Sequence, residues 1–147
     1  MITENIKALI SYRLEQADES LVAAKVLLDS KLLRPTVNRA YYAMFYAVLA
    51  LLASRKMETS KHSGAISLFD KDYVKTGMFT KDFSRWLHDA FDLRQRSDYA
   101  AKYSPSATEA EKTLQNATIF VKEIKAKLAE QMDNPEQLPD DPGKLPR

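Results

Sequence analysis

The chain has 147 residues, a length that suits one domain with a real core rather than two. Apolar residues make up 45% and charged residues 29%, which excludes disorder for the bulk of the chain, and only 3 glycines disfavour a turn-rich β-sandwich or a glycine loop around phosphate. The absence of cysteine removes disulfides, thiolate nucleophiles, iron–sulfur clusters and cysteine zinc sites, and a net charge of +2 neither requires nor forbids a nucleic-acid partner.

The N-terminus lacks the basic start, apolar middle and small-residue cleavage site of a secretory signal, so a cytoplasmic location is expected. Ile6, Leu9, Ile10, Leu14, Ala17, Leu21, Ala24 and Leu28 recur in steps of three and four, which predicts a first helix over about Glu4 to Ser30. Pro35 suits the first turn of a second helix that runs to about Ser54. Its apolar stretch, Ala40 to Ala53, is shorter than the roughly 20 residues that cross a bilayer. A helix apolar nearly all round belongs at the centre of the fold, and no membrane partner is expected.

Ala65, Ile66, Leu68, Phe69 and Tyr73 predict a short third helix followed by a loop near Gly77. Thr80 is placed to cap a fourth helix that carries Phe83, Trp86, Leu87, Ala90 and Phe91 and continues to about Tyr99, before Ser104-Pro105. Ser106 and Glu109 have the spacing of a capping box and open a fifth helix with the stripe Leu114, Ala117, Val121, Ile124, Leu128. Residues 133–147 hold four of the 6 prolines and no apolar period, and are expected to be a disordered tail. The fold class expected for residues 1–132 is therefore all-α, an antiparallel up-and-down bundle of four long helices plus one short helix.

Chemistry must come from His, carboxylates, hydroxyls and cations. Tyr41, Tyr42, Phe45 and Tyr46 form two i,i+4 aromatic pairs, either a packed core or dimer face, which is the commoner use, or a stacking surface for bases. Asn38 and Arg39 precede these rings, and Arg39 has the choice of a phosphate or a neighbouring carboxylate. Arg85–Asp89, Asp92–Arg96 and Arg94–Asp98 are i,i+4 pairs that need no function to explain them. His88, near Asp92 and Arg94, is a candidate acid or base, with an ordinary surface role as the alternative. His62 reads as a structural residue at a helix start. Two histidines so far apart, without an HExxH spacing, give no metal site, and no nucleophile elbow supports a Ser63–His62–Asp assembly.

Three strings, NRAYYAMFYAVLALLA at Asn38–Ala53, KHSG at Lys61–Gly64 and LRQRSDYA at Leu93–Ala100, occur in this order, and the chain over about residues 1–130 resembles the HEPN family, the "higher eukaryotes and prokaryotes nucleotide-binding" domain. The resemblance implies an α-helical bundle that is commonly a homodimer. It also implies kinship with metal-independent ribonucleases and toxins that are often paired with a small nucleotidyltransferase acting as antitoxin. The family's ribonucleases carry an Arg followed after four to six residues by a His, and the equivalent stretch here, Arg94 to Tyr99, contains no His. Arg94 supplies a cation for the developing charge, but Asp98, with its low reference pKa, or His88 would have to move the proton. Arg55 and His62 match the spacing formally, but across a loop rather than along a helix.

The expected function is thus a homodimeric binding module for a nucleotide or RNA, with Asn38, Arg39, Tyr42, Arg94 and Arg96 binding nucleotide, or a docking partner of a nucleotidyltransferase in a toxin–antitoxin-type pair. The alternative is a metal-independent endoribonuclease with a site built from Arg94, Asp98 and His88. Neither a metal nor a cofactor is expected. In the toxin branch a tyrosine near the site is modified by the partner enzyme, a role open here to Tyr99 or Tyr103, against plain packing at a helix end.

Overall fold

The structure is a computed structural model that describes residues 2–133 of the chain. Five α-helices run in order: α1 (Glu4–Asp29), α2 (Leu33–Ser54), α3 (His62–Phe69), α4 (Lys81–Tyr99) and α5 (Ala107–Asp133). A π-helical turn, Asp70–Val74, forms the last part of the segment through Tyr73 that the sequence assigns to the third helix. The expected tail, residues 133–147, lies outside the described residues apart from the last residue of α5.

Helix α2 explains the arrangement. Ala40, Tyr41, Ala43, Met44, Ala47, Val48, Ala50, Leu51 and Leu52 are all buried, over more than half of the helix circumference. Such a helix is stable only when others enclose it, and α2 packs against α1, α3, α4 and α5. A tight link with Lys31 in the left-handed region, φ 62°, turns α1 into α2. Lys125 of α5 pairs with Asp18 of α1 at 2.8 Å, while Val37, Leu93 and Ala110 join α2, α4 and α5 near the opposite end. The long helices therefore alternate in direction, as in an up-and-down bundle. No helix of the described residues is long and apolar enough to cross a membrane.

Two details bear on the site. The link from α2 to α3, residues 55–61, doubles back along α2, so that His62 at the start of α3 lies beside Tyr41 and Phe45 rather than near Ser54. Gly64 allows this return to be close: a Cβ there would lie 2.9 Å from Thr59 Oγ1. The π-helical turn lets Tyr73 reach the core, where its hydroxyl donates to Leu51 O at 2.9 Å. Burial pushes that phenol up to about 12, so it remains a donor.

Helix starts agree with the sequence in part. Thr3 caps α1, its Oγ1 accepting from Ile6 N at 3.2 Å. Helix α2 begins two residues before Pro35. Thr80 occupies the N-cap position of α4, but its side chain makes no capping bond. The capping box of α5 is complete: Glu109 N donates to Ser106 Oγ at 3.0 Å and Ser106 N to Glu109 Oε1 at 2.9 Å. The Ser106 N–H holds the Glu109 carboxyl below its usual range. Ser106→Ala should cost about 1 kcal/mol, a fall in Tm of roughly 2–4 °C at this chain size, measurable by thermal melting monitored by circular dichroism.

Candidate functional site

Helix α4 runs antiparallel to α2, so Phe91, Arg94 and Asp98 descend past Tyr41, Tyr42 and Asn38 in turn. Those two steps, of three and four residues, keep one face of α4 against α2. The polar groups they bring together form a continuous chain. Arg39 donates through Nε and Nη2 to Asn38 Oδ1 at 3.0 and 2.9 Å. Asn38 Nδ2 donates to Asp98 Oδ2 at 2.9 Å. The same carboxylate oxygen lies 2.9 Å from Arg94 Nε, in an ion contact whose angle is not that of a hydrogen bond. Arg94 Nη2 then donates to Tyr42 Oη at 3.2 Å.

Tyr42 is the centre of the cluster. Arg39 Cζ lies 4.9 Å and Arg94 Cζ 5.3 Å from its ring centroid, both within cation–π range. Asp98 compensates one of the two guanidiniums. Among the described residues no carboxylate pairs with Arg39, so the cluster carries an excess positive charge. Arg94 also approaches Tyr99, with Nη2 3.4 Å from its hydroxyl. Tyr99 is 71% exposed and covers the site from the solvent side. A hollow of about 270 Å³ adjoins Arg39 and Tyr46 between α1 and α2, lined also by Gln16, Ser20 and the carboxylate-bearing Glu19. A larger hollow of about 1030 Å³, around Lys25, Leu28 and Leu114, contains none of these residues.

Of the residues picked from sequence, Asn38, Arg39, Tyr42, Arg94 and Asp98 meet here. Arg96 does not: it lies over the Tyr103 ring at 5.0 Å. Tyr103 is in turn tied to the start of α5, its hydroxyl 3.1 Å from Glu109 Oε2. His88 points to neither Arg94 nor Asp98 of its own chain. Its Nε2 lies 2.6 Å from Asp70 Oδ2 beside the π-helical turn. Arg55, the formal partner of His62 by spacing, stands over Tyr73 at 5.3 Å and pairs with Asp72 at 3.5 Å.

The residue that sequence reasoning passed over is His62. Its ring stacks on Phe45 at 4.3 Å with an interplanar angle of 5°, and meets the edge of Tyr42 at 5.6 Å. Its Nδ1 lies 2.7 Å from Tyr41 Oη. Burial, and secondarily the positive charge of Arg94, lower its pKa from the ordinary imidazole value. An imidazole thus stands near Arg94, supplied by the start of α3 and not by α4. The available signal was KHSG itself: the three strings that carry the family resemblance converge on this one place.

Because the folded His62 pKa lies below the unfolded value of about 6.5, the unfolded chain binds more protons around and below that pH. The stability that neutral His62 contributes is therefore present above about pH 6.5 and lost as pH falls. Melts of the native chain and of His62→Gln between pH 7.5 and 5 should show a smaller acid-induced fall in Tm for the variant; equal falls would contradict this protonation state.

The family model of the HEPN domain matches residues 10–127. The chain is 39% identical over 129 residues to a Methanocaldococcus jannaschii protein named "Putative toxin MJ0605", an alignment spanning 88% of this chain and 92% of that one. It is 35% identical over 112 residues to "Putative toxin MJ0142" of the same organism, spanning 76% of each. A UPF0332 protein of Archaeoglobus fulgidus is 34% identical over 116 residues, 79% of this chain and 92% of the relative. With the family's match extending from the first helix into the last, the chain belongs to the HEPN family.

Proposed function

We propose that the protein is a homodimeric HEPN module that binds the phosphate of a nucleotide or RNA at the Asn38–Arg39–Tyr42–Arg94 cluster and works beside a nucleotidyltransferase partner in a toxin–antitoxin-type pair. The observation that carries the ligand class is the pair of guanidiniums on the one Tyr42 ring with a single carboxylate between them. That leaves a net cation, hydrogen-bond donors and an aromatic face together, the three features that recognise a nucleotide. The hollow beside Arg39 and Tyr46 adds room for part of a ligand next to the charge. The toxin names of two relatives support the pairing with an antitoxin.

A second reading, a metal-independent endoribonuclease, is favoured by one observation: His62 stands where a proton-transfer group would be needed beside Arg94. Binding remains the first reading because the group in direct contact with Arg94 is the Asp98 carboxylate, at 2.9 Å, and not an imidazole.

A thermal melt with a nucleotide series and a short RNA tests the binding. At a hundredfold excess over Kd the stabilisation is about 2.7 kcal/mol, a rise on the order of 5–10 °C. It should disappear in Arg39→Ala and in Arg94→Ala. RNA incubated with excess chelator and the native chain should stay intact; cleavage abolished by Arg94→Ala would favour the second reading. Sedimentation of the full chain, expected at twice the protomer mass, tests the dimer.

A further inference from the structure

We infer that His62 is held by Tyr41 as a neutral imidazole whose Nε2–H donates to a phosphate oxygen of the nucleotide or RNA ligand, with Tyr41 as its positioning residue. The inference rests on the phosphate-binding reading of the site and adds to it a directional donor that carries no charge.

The argument begins with Tyr41, which is fully buried. A buried hydroxyl that makes no hydrogen bond is costly. Among the described residues the only hydrogen-bond partner of Tyr41 Oη is His62 Nδ1, at 2.7 Å. Burial also holds the phenol well above its usual range, so it keeps its proton. If Oη only accepted from Nδ1–H, its own O–H would be a buried donor with no acceptor among the described residues, so the phenol donates and Nδ1 accepts. In a neutral imidazole the proton must then sit on Nε2.

The ring is held as well as the tautomer. Phe45 lies parallel to one face of His62 at 4.3 Å, and Tyr42 and Phe91 close around it at 5.6 and 6.4 Å. Nε2 has no hydrogen-bond partner among the described residues, yet it is not among the buried atoms left without one. It reaches solvent as an available donor.

The charges facing the ring agree. Tyr41 of α2 keeps its proton, and Arg94 of α4 is the cation whose field reaches the ring. A third positive group here would be repelled by Arg94 in the absence of ligand. A neutral N–H gains a phosphate contact without that repulsion. The tautomer also separates binding from chemistry: with Nε2 protonated and Nδ1 occupied, His62 offers no lone pair to take a proton from a substrate hydroxyl.

The test uses the full chain labelled with ¹⁵N-histidine, whose imidazole nitrogen shifts report tautomer and charge directly. At pH 7 without ligand, His62 should show an unprotonated Nδ1 and a protonated Nε2. In Tyr41→Phe this single tautomer should give way to a mixture. With adenosine 5′-monophosphate as probe, the Nε2–H signal should shift while Nδ1 stays unprotonated. Affinity for the probe should fall about 5- to 10-fold in His62→Ala, the worth of one hydrogen bond. His62→Gln, which retains an amide donor, should recover much of it. An Nδ1–H tautomer, or a doubly protonated ring with or without probe, overturns the inference. Binding that Arg94→Ala abolishes but His62→Ala leaves unchanged overturns the role of His62 alone and leaves the phosphate site standing. A native chain whose spectrum and melt ignore both the probe and RNA overturns the phosphate site, and the ligand role of His62 with it.

Discussion

A helix that is apolar nearly all round cannot lie on a surface, and everything else in this fold follows from enclosing α2. Its small residues, Ala40, Ala43, Ala47 and Ala50, are fully buried, which allows neighbouring backbones to approach closely. Each surrounding helix then needs only one apolar stripe. Enclosure has a chemical consequence too. Where α2 carries Asn38, Arg39 and Tyr42 instead of aliphatic residues, the same packing brings polar groups of α4 against them, and buried polar groups must find one another. The chain from Arg39 through Asn38 and Asp98 to Arg94 is the local solution.

The helices, their order and the α5 capping box were legible because each rests on short-range rules: a period of 3.6, a cap, a proline. The site was legible only where it follows a helical face. Asn38 and Tyr42 share a face of α2, and Arg94 and Asp98 share a face of α4, so both pairs could be read from spacing. Arg96 was grouped with Arg94 by nearness in sequence, but two residues along a helix is a turn of about 200°, and it lies over Tyr103 instead. His88, six residues before Arg94, is on another side for the same reason. His62 was illegible for a different reason. It is placed by a non-helical return, residues 55–61, whose path depends on local contacts such as that of Gly64 with Thr59, and no periodicity announces where such a segment leads. The π-helical turn had no signal either, since its extra residue per turn follows from Tyr73 reaching Leu51 O in the core.

Asp98 changes its meaning between sequence and structure. As a member of an Arg-x-x-x-Asp pair it could stand in for a missing histidine. In the fold its Oδ2 accepts from Asn38 and makes an ion contact with Arg94. A carboxylate so placed orients its neighbours better than it transfers a proton. It fixes the Asn38 amide so that the carbonyl oxygen faces Arg39, and it restrains Arg94 against Tyr42.

The same carboxylate governs what can enter. A phosphate approaching Arg39 and Arg94 meets two attractive charges and one repulsive one, so the net attraction is that of about one cation at comparable distances. Exposed single charges are weak in water, and salt screens them within about 10 Å. The contacts around Tyr42 therefore matter more than the charge count. Donors already aligned by Asn38, Tyr42 and Asp98 need little further ordering to grip a ligand, and pre-alignment of this kind adds affinity by lowering the entropic cost of binding. A neutral His62 fits the same economy: it contributes direction without disturbing a balance in which Asp98 offsets only one of the two guanidiniums.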